Sequence, residues 1–211
     1  MDVMKNFREY YIGTILHPSR TFRELINDTS RTRQAILAVA IMAILYTFVY
    51  VFLIFGGGQP YKPWLNIPLE DYYRYNVFFC APSMFLGWVL CTGCVHLFAS
   101  RLTSKGSFGQ LLSTFGFGIG IASWSTGIHD LVSSFLGAIH VIDQHEFEIA
   151  LNSPTVFRLL LWILMLAYVA WFVLLFTRGV TVVYKLSRVR ALILGIAGFL
   201  VYQMFFLIFN R

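Results

Sequence analysis

The chain has 211 residues, of which 58% are hydrophobic and only 12% are charged, with a net charge of +6 and a mean hydropathy of +0.70. Soluble globular domains carry about 25% charged residues, so this composition excludes a water-soluble globular protein and indicates that lipid surrounds most of the chain. Three cysteines in so apolar a chain do not indicate a disulfide scaffold.

Residues 1–33 form a first segment, in which charged residues occur throughout, so no cleavable signal peptide is expected. Apolar and basic residues alternate at helical spacing, and Pro18 suits the first turn of a second short helix. We predict an amphipathic helical segment that lies in the lipid headgroup layer or covers the end of a helical bundle. Its candidate lipid- or partner-binding residues are Arg20, Phe22, Arg23, Arg31 and Arg33.

Residues 34–211 contain five stretches without Asp, Glu, Lys or Arg that are long enough to cross a bilayer. About 20 helical residues cross the roughly 30 Å hydrocarbon core, and a helix satisfies its own backbone polar groups there. The sequence therefore predicts an all-α integral membrane protein, with a five-helix transmembrane domain behind the amphipathic segment. The expected spans are about 34–55, 76–99, 108–128 (extending to 138 if the helix continues), 159–177 and 191–209.

The third span carries small residues at alternating steps of four and three, which places them on one face of a helix. Small side chains let helix backbones approach closely in lipid. We predict that they form a helix-packing stripe and that the third helix is central to the bundle; a stripe that lines a path is the alternative. The stripe consists of Gly109, Ser113, Gly116, Gly120, Ser123 and Gly127.

Two ionisable residues, His129 and Asp130, follow the stripe. On one continuous helix Asp130 would lie about 33 Å from Phe108, near the outer interface, where a carboxylate reaches water at little cost. Solvation at the interface is one interpretation of Asp130. A proton or cation site formed by His129 and Asp130 is the other.

The sequence contains no established catalytic, cofactor or metal-binding motif that fits its surroundings. Cys91 and Cys94 form a C-x-x-C pattern, but they lie within an apolar span and are predicted to pack rather than to react. The acidic loop 140–148 contains His, Asp and Glu, but their spacing matches no standard zinc site. We therefore predict a protein that is not an enzyme and that carries no cofactor or metal ion.

Basic residues concentrate in alternate connections between the spans, which predicts a cytoplasmic N-terminus and an external C-terminus. This asymmetry accounts for the net positive charge, and with no basic patch on a soluble surface we expect no nucleic-acid partner. The predicted inner side carries Lys5, Arg8, Arg20, Arg23, Arg31, Arg33, Arg101, Lys105, Arg178, Lys185, Arg188 and Arg190, and the outer side carries Lys62, Arg74, Arg158 and Arg211.

The segment from Leu16 to Leu25 resembles the Pro-x-x-x-Phe-x-x-Leu signature that precedes the first of five spans in the Yip1-domain family. Ser107–Leu112 resembles the start of the family's third span, and Val180–Ala191 resembles the basic link into its last span. The Asp-Leu-Tyr-Gly-Pro motif of eukaryotic members is absent. The resemblance therefore implies a prokaryotic member in a bacterial or archaeal cytoplasmic membrane.

Two classes of function remain open. The first is a scaffold or accessory factor that organises membrane lipids, other membrane proteins or further copies of itself, which is what the resemblance implies. The second is a small ion or solute transporter or channel that uses the third helix and Asp130. The first is favoured because the deep parts of the spans hold no formal charge and five spans do not divide into two equal repeats.

Overall fold

The computed structural model of the protein describes residues 3–60 and 63–210, with the side chains of residues 6–60 and 63–209. Within these residues the chain forms nine α-helices, and a short 3-10 turn at Leu69–Asp71 leads into the fourth. The helices are α1 (Val3–Leu16), α2 (Pro18–Leu25), α3 (Arg31–Phe55), α4 (Tyr72–Leu102), α5 (Phe108–Ala122), α6 (Trp124–Ala138), α7 (Gln144–Asn152), α8 (Val156–Tyr184) and α9 (Arg188–Asn210).

Four of these helices, α3, α4, α8 and α9, are individually long and apolar enough to cross a membrane. The pair α5 and α6 meets the same criteria together, as one span bent by 43°. The predicted all-α bundle of about five membrane-spanning helices is thereby confirmed. The helices extend past the charge-free stretches of sequence. For example, α3 begins at Arg31 and α8 continues past Arg178 to Tyr184, because long basic side chains can reach the headgroups from the end of a span.

The five spans close into a ring in which α3 packs against α4, α4 against α9, α9 against α8, and α8 against α5. Both halves of the bent span pack against α3. We call the end where α3 begins and α8 finishes the basic end, because Arg31, Arg101 and Lys185 lie there. The opposite end, where α7 lies with Glu146 and Glu148, is called the acidic end.

The third span is bent at Ser123, between α5 and α6. The preceding residues, Gly116 to Ser123, are rich in glycine and end in serine, and such sequences are common at kinks because they support the helical backbone weakly. The span therefore does not run unbroken to Gly137. Its first half packs among α3, α4 and α8, while its second half packs mainly against α3 and extends to the acidic end.

The small residues of the third span are used unevenly. Gly116 faces Ala35 and Trp88, Gly120 faces Ala38, and Gly127 faces the Met42 side chain. Ser113 and Ser123 are buried. Gly109, the first residue of the predicted stripe, has no atom within 4 Å of the position that a Cβ would occupy. The close helix contact therefore begins about two turns into α5 rather than at its start.

Replacing Gly120 with alanine is expected to destabilise the bundle by about 1–3 kcal/mol. A methyl group there would lie 2.8 Å from the backbone carbonyl oxygen of Ala38, so two helix backbones would have to separate. The matched control is Gly93→Ala in α4, where nothing lies within 4 Å and the change should stabilise by about 0.5–1 kcal/mol. Thermal unfolding in detergent measures both. Equal melting temperatures for the two variants would contradict the close packing of α5 on α3. Gly57 would be a poor control, because its φ of +69° strains any other residue.

Candidate functional site

The two N-terminal helices form a hairpin, defined here as α1 and α2 together, that packs against α5 and α8 at the basic end. Phe22 and Leu25 of α2 are completely buried. On α1, the rings of Phe7, Tyr10 and Tyr11 surround Phe117 of α5 at centroid distances of 5.9, 6.3 and 6.4 Å. The apolar face of the hairpin is therefore part of the protein core.

The Tyr11 side chain of the hairpin reaches the bend of the third span. The Tyr11 hydroxyl donates a hydrogen bond to the carbonyl oxygen of Gly120 at 2.8 Å, and it accepts one from the indole N–H of Trp124 at 2.6 Å. Gly120 belongs to α5 and Trp124 to α6, so Tyr11 connects the two halves of the bent span. Burial raises the pKa of the Tyr11 phenol, with the hydrogen bond from Trp124 acting in the opposite direction.

The link between the hairpin and α3 is organised around Asp28. Its carboxylate accepts hydrogen bonds from the backbone N–H and hydroxyl of Ser30, both at 2.7 Å, and from the Tyr10 hydroxyl at 3.1 Å. Gln34 donates to it at 3.3 Å. Burial disfavours the charged form, but the hydrogen bonds outweigh it and lower the pKa of Asp28. The hairpin is therefore held at a fixed angle to the first span.

The five candidate lipid-binding residues divide into two groups. Arg20, Arg23 and Arg33 are exposed, and the ion pair of Arg20 with Glu24 at 2.9 Å is itself exposed and therefore weak. The sequence suggested Phe22 and Arg31 for lipid or partner binding, but both make contacts within the protein. Phe22 is an anchor inside the core, and the Arg31 guanidinium caps the end of α2 by donating to the carbonyl oxygens of Ile26 and Asp28.

Apolar residues accompany the exposed arginines on the hairpin. Ile12 and Ile15 are each 44% exposed and Leu16 is 63% exposed, one to two turns from Arg8, which is also exposed. Helices that combine basic and exposed apolar side chains in this way are typical of the boundary between headgroups and acyl chains. The outer surface of the hairpin is therefore suited to a lipid interface or to an amphipathic partner.

A second candidate site is a cavity of about 380 Å³ at the acidic end, enclosed by α3, α4, α6, α7, α8 and α9. His129 and Asp130 of α6 both line it, with 3.1 Å between His129 Nδ1 and Asp130 Oδ1. The Asp130 side chain is 33% exposed. The two residues that the sequence suggested as an ion site thus lie together in a cavity rather than on a plain interface.

Polar side chains from the neighbouring helices complete the cavity wall. The hydroxyls of Tyr46 and Thr126 are 3.0 Å apart, and the Tyr168 hydroxyl donates to Gln203 Oε1 at 2.8 Å. On α7, Gln144 donates to Glu148 Oε1 at 3.3 Å. Burial raises the pKa of Glu148, although hydrogen bonds from the Gln144 side chain and the Gln59 backbone partly offset this.

The cavity does not continue towards the basic end. Below Tyr168, the rings of Phe172 and Phe176 follow at centroid distances of 4.6 and 5.6 Å, and Phe115 stacks on Phe176 at 3.8 Å. These three phenylalanines are completely buried. Gly118 and Gly198 make room for this column of rings, since a Cβ at either position would lie 3.1 Å or 3.3 Å from Phe176.

Comparison with known proteins decides the family. The sequence pattern described as the Yip1 domain matches residues 12–209, which is nearly the whole chain and includes the cavity, α2 and the end of α1. The chain belongs to the Yip1 domain family. No curated protein and no solved structure matches it.

Membership establishes that this Yip1-domain protein is a multi-pass membrane protein, in agreement with its apolar helices. The family is not known for enzymatic activity. Within the described part of this member, no group of three or more His, Cys, Asp or Glu residues is arranged to hold a metal ion.

Sequence reasoning did not identify most of the cavity. It treated the acidic connection before the fourth span as a solvated loop, whereas residues 144–152 form α7, with Asp143 as its N-cap, and cover the cavity. It also gave no role to Tyr46 and Tyr168, which lie near the middle of their spans. Tyrosines deep inside apolar helices were the available signal, since a buried phenol requires a hydrogen-bond partner.

Proposed function

We propose that this protein is a non-enzymatic scaffold or accessory factor that holds anionic lipid, and through it partner membrane proteins, at its basic end. The observation that carries the proposal is the hairpin. One of its faces is fixed in the core through Phe22 and Tyr11. Its other face presents Arg20 and Arg23 beside exposed apolar residues, and Arg33 is exposed nearby in the chain, in the first turn of α3. A rigid, basic and partly apolar surface at the membrane boundary matches an anionic headgroup layer.

The proposal places the basic end at the cytoplasmic surface of a bacterial or archaeal cytoplasmic membrane. The positive-inside rule supports this orientation, because the connections at this end carry Arg101, Lys105, Arg188 and Arg190. Anionic lipids give that surface a negative potential, which attracts basic segments within about one Debye length.

Transport is the second candidate, and the cavity that contains Asp130 is the observation in its favour. The column of Phe115, Phe172 and Phe176 argues against it, because these buried rings fill the bundle between the cavity and the basic end. A transport path would require the whole column to move. The fixed hairpin needs no such rearrangement, and we therefore favour the scaffold.

Hydrogen exchange of the whole protein in nanodiscs tests the proposed contact. Peptides from residues 6–25 should exchange about tenfold more slowly in phosphatidylglycerol than in phosphatidylcholine, since a ligand that binds the folded hairpin stabilises it. Peptides from α7 (Gln144–Asn152) at the acidic end serve as the internal control and should exchange equally in the two lipids. Identical exchange of the hairpin in both lipids would contradict the contact with anionic headgroups.

A further inference from the structure

The cavity at the acidic end has an unbalanced set of charges. Asp130 and Glu148 both line it, and of the lining residues that the structure describes none is Lys or Arg. His129, which lies beside Asp130, is the one basic side chain among the described lining residues. The electrostatic potential inside is therefore negative, and a partly desolvated site of this sign favours a cation.

The wall around these carboxylates is aromatic. Ring faces attract cations, and ammonium groups with alkyl substituents are a common ligand of tyrosine-rich sites. Apolar side chains, among them Val49, Leu161 and Met165, form a further part of the wall, so the site also suits the hydrocarbon body of a ligand. The aromatic lining residues are Tyr46, Tyr50, Tyr73, Phe147, Tyr168 and Phe206.

The polar part of the wall includes several hydrogen-bond acceptors. Glu148 and Asp130 offer carboxylate oxygens, and Gln203 Oε1 accepts only from Tyr168 among the described side chains. A ligand with several N–H donors is the chemical complement of such a wall.

We propose that this cavity binds an organic ammonium ion, with its charged group directed to Asp130 and Glu148 and its apolar body against the tyrosines. A volume of about 380 Å³ lies within the range of about 300–1,000 Å³ that is usual for small-molecule sites. The bound cation also offsets the cost of burying the Glu148 carboxylate.

An ammonium group can come from a free amine or from the headgroup of a lipid such as phosphatidylethanolamine. The structure favours the free amine. The headgroup of that lipid carries a phosphate, which would enter a cavity with two carboxylates and no described Lys or Arg to neutralise it. A monovalent amine meets only attractive charges there.

Calorimetric titration of the detergent-solubilised full chain with phenethylamine tests the proposal. We expect saturable binding of phenethylamine. Phenethyl alcohol should bind at least about tenfold more weakly because it has no charged group to donate a hydrogen bond, and phenylacetate should do so because its charge is negative. Asp130→Asn and Glu148→Gln should each weaken phenethylamine binding by about tenfold. The matched control is Glu146→Gln, which removes the same charge from an exposed position of α7 and should leave binding unchanged.

Three results would overturn the proposal: no binding of phenethylamine at millimolar concentration, equal binding of the alcohol, or equal loss in the Glu146 control. The Asp130 and Glu148 variants act as independent checks, so a folding defect in one does not remove the test. Phosphatidylethanolamine nanodiscs provide the lipid arm. Retention of that lipid through purification in the wild type but not in Asp130→Asn would show a headgroup site and overturn the assignment to a free amine.

Discussion

Replacing Phe22 with alanine is expected to release the hairpin from the bundle while the five spans stay folded. Phe22 is completely buried, and truncation of a buried phenylalanine costs about 3–5 kcal/mol. That cost exceeds the free energy that usually holds a two-helix segment on a bundle, so the hairpin should detach. The five spans should stay together, because Phe22 takes no part in the contacts between them. The hairpin should then open far more often than the remainder of the protein.

Limited trypsin digestion in detergent measures this release. Arg20 and Arg23 lie on α2, and cleavage after them should become at least about tenfold faster in Phe22→Ala, because proteolysis follows the population of the open form. The control is Phe48→Ala, which removes the same ring from an exposed, lipid-facing position of α3. Unchanged cleavage at Arg20 and Arg23 in the Phe22 variant would contradict the anchoring of the hairpin.

The sequence predicted the class and the order of the elements well. The charge-free stretches are long, and long apolar helices are the clearest signal that a sequence gives. The N-terminal helices were also visible, because Pro18 suits a helix start and is in the first turn of α2. The bend at Ser123 was within the possibilities that the sequence left open, since a helix from Phe108 to Gly137 would exceed the bilayer thickness.

The direction of individual side chains could not be predicted. Phe22 and Arg31 occur in a basic, amphipathic segment that was predicted either to lie in the headgroup layer or to cover the end of the bundle. Phe22 is completely buried, and Arg31 donates to the backbone carbonyl oxygens of Ile26 and Asp28. The pattern of an amphipathic helix defines its apolar face without showing whether lipid or protein covers that face. The contacts of Phe22 with the spans depend on tertiary packing, which periodicity does not encode.

The cavity was missed for a similar reason. Its lining residues come from six helices and from residues 59–60, and its tyrosines are distributed over α3, α4 and α8. Each would be read as a core aromatic residue when considered on its own. Asp130 was noticed because of its charge, but only the placement of α7 above it shows that the carboxylate lies in a cavity.

Binding of anionic lipid by a variant without the exposed arginines Arg20, Arg23 and Arg33 is the most direct test of the proposed function. Native mass spectrometry of the full chain, titrated with phosphatidylglycerol, reports the affinity for each lipid bound. Arg31 is left in place, because it caps α2 and its loss would disturb the fold. The control removes three exposed arginines of the same end that lie outside the hairpin, Arg101, Arg188 and Arg190.

We predict that Arg20→Gln, Arg23→Gln and Arg33→Gln together weaken the tightest phosphatidylglycerol binding by about 100-fold, since each basic side chain near the surface contributes about 1 kcal/mol. The Arg101, Arg188 and Arg190 control should weaken it less than about tenfold, because the proposal places the tightest headgroup contact on the hairpin and the first turn of α3 and not on these residues. Asp130→Asn, at the opposite end, should bind phosphatidylglycerol as the wild type does. Wild-type affinity in the variant that lacks Arg20, Arg23 and Arg33, or an equal loss in the control, would contradict the scaffold account.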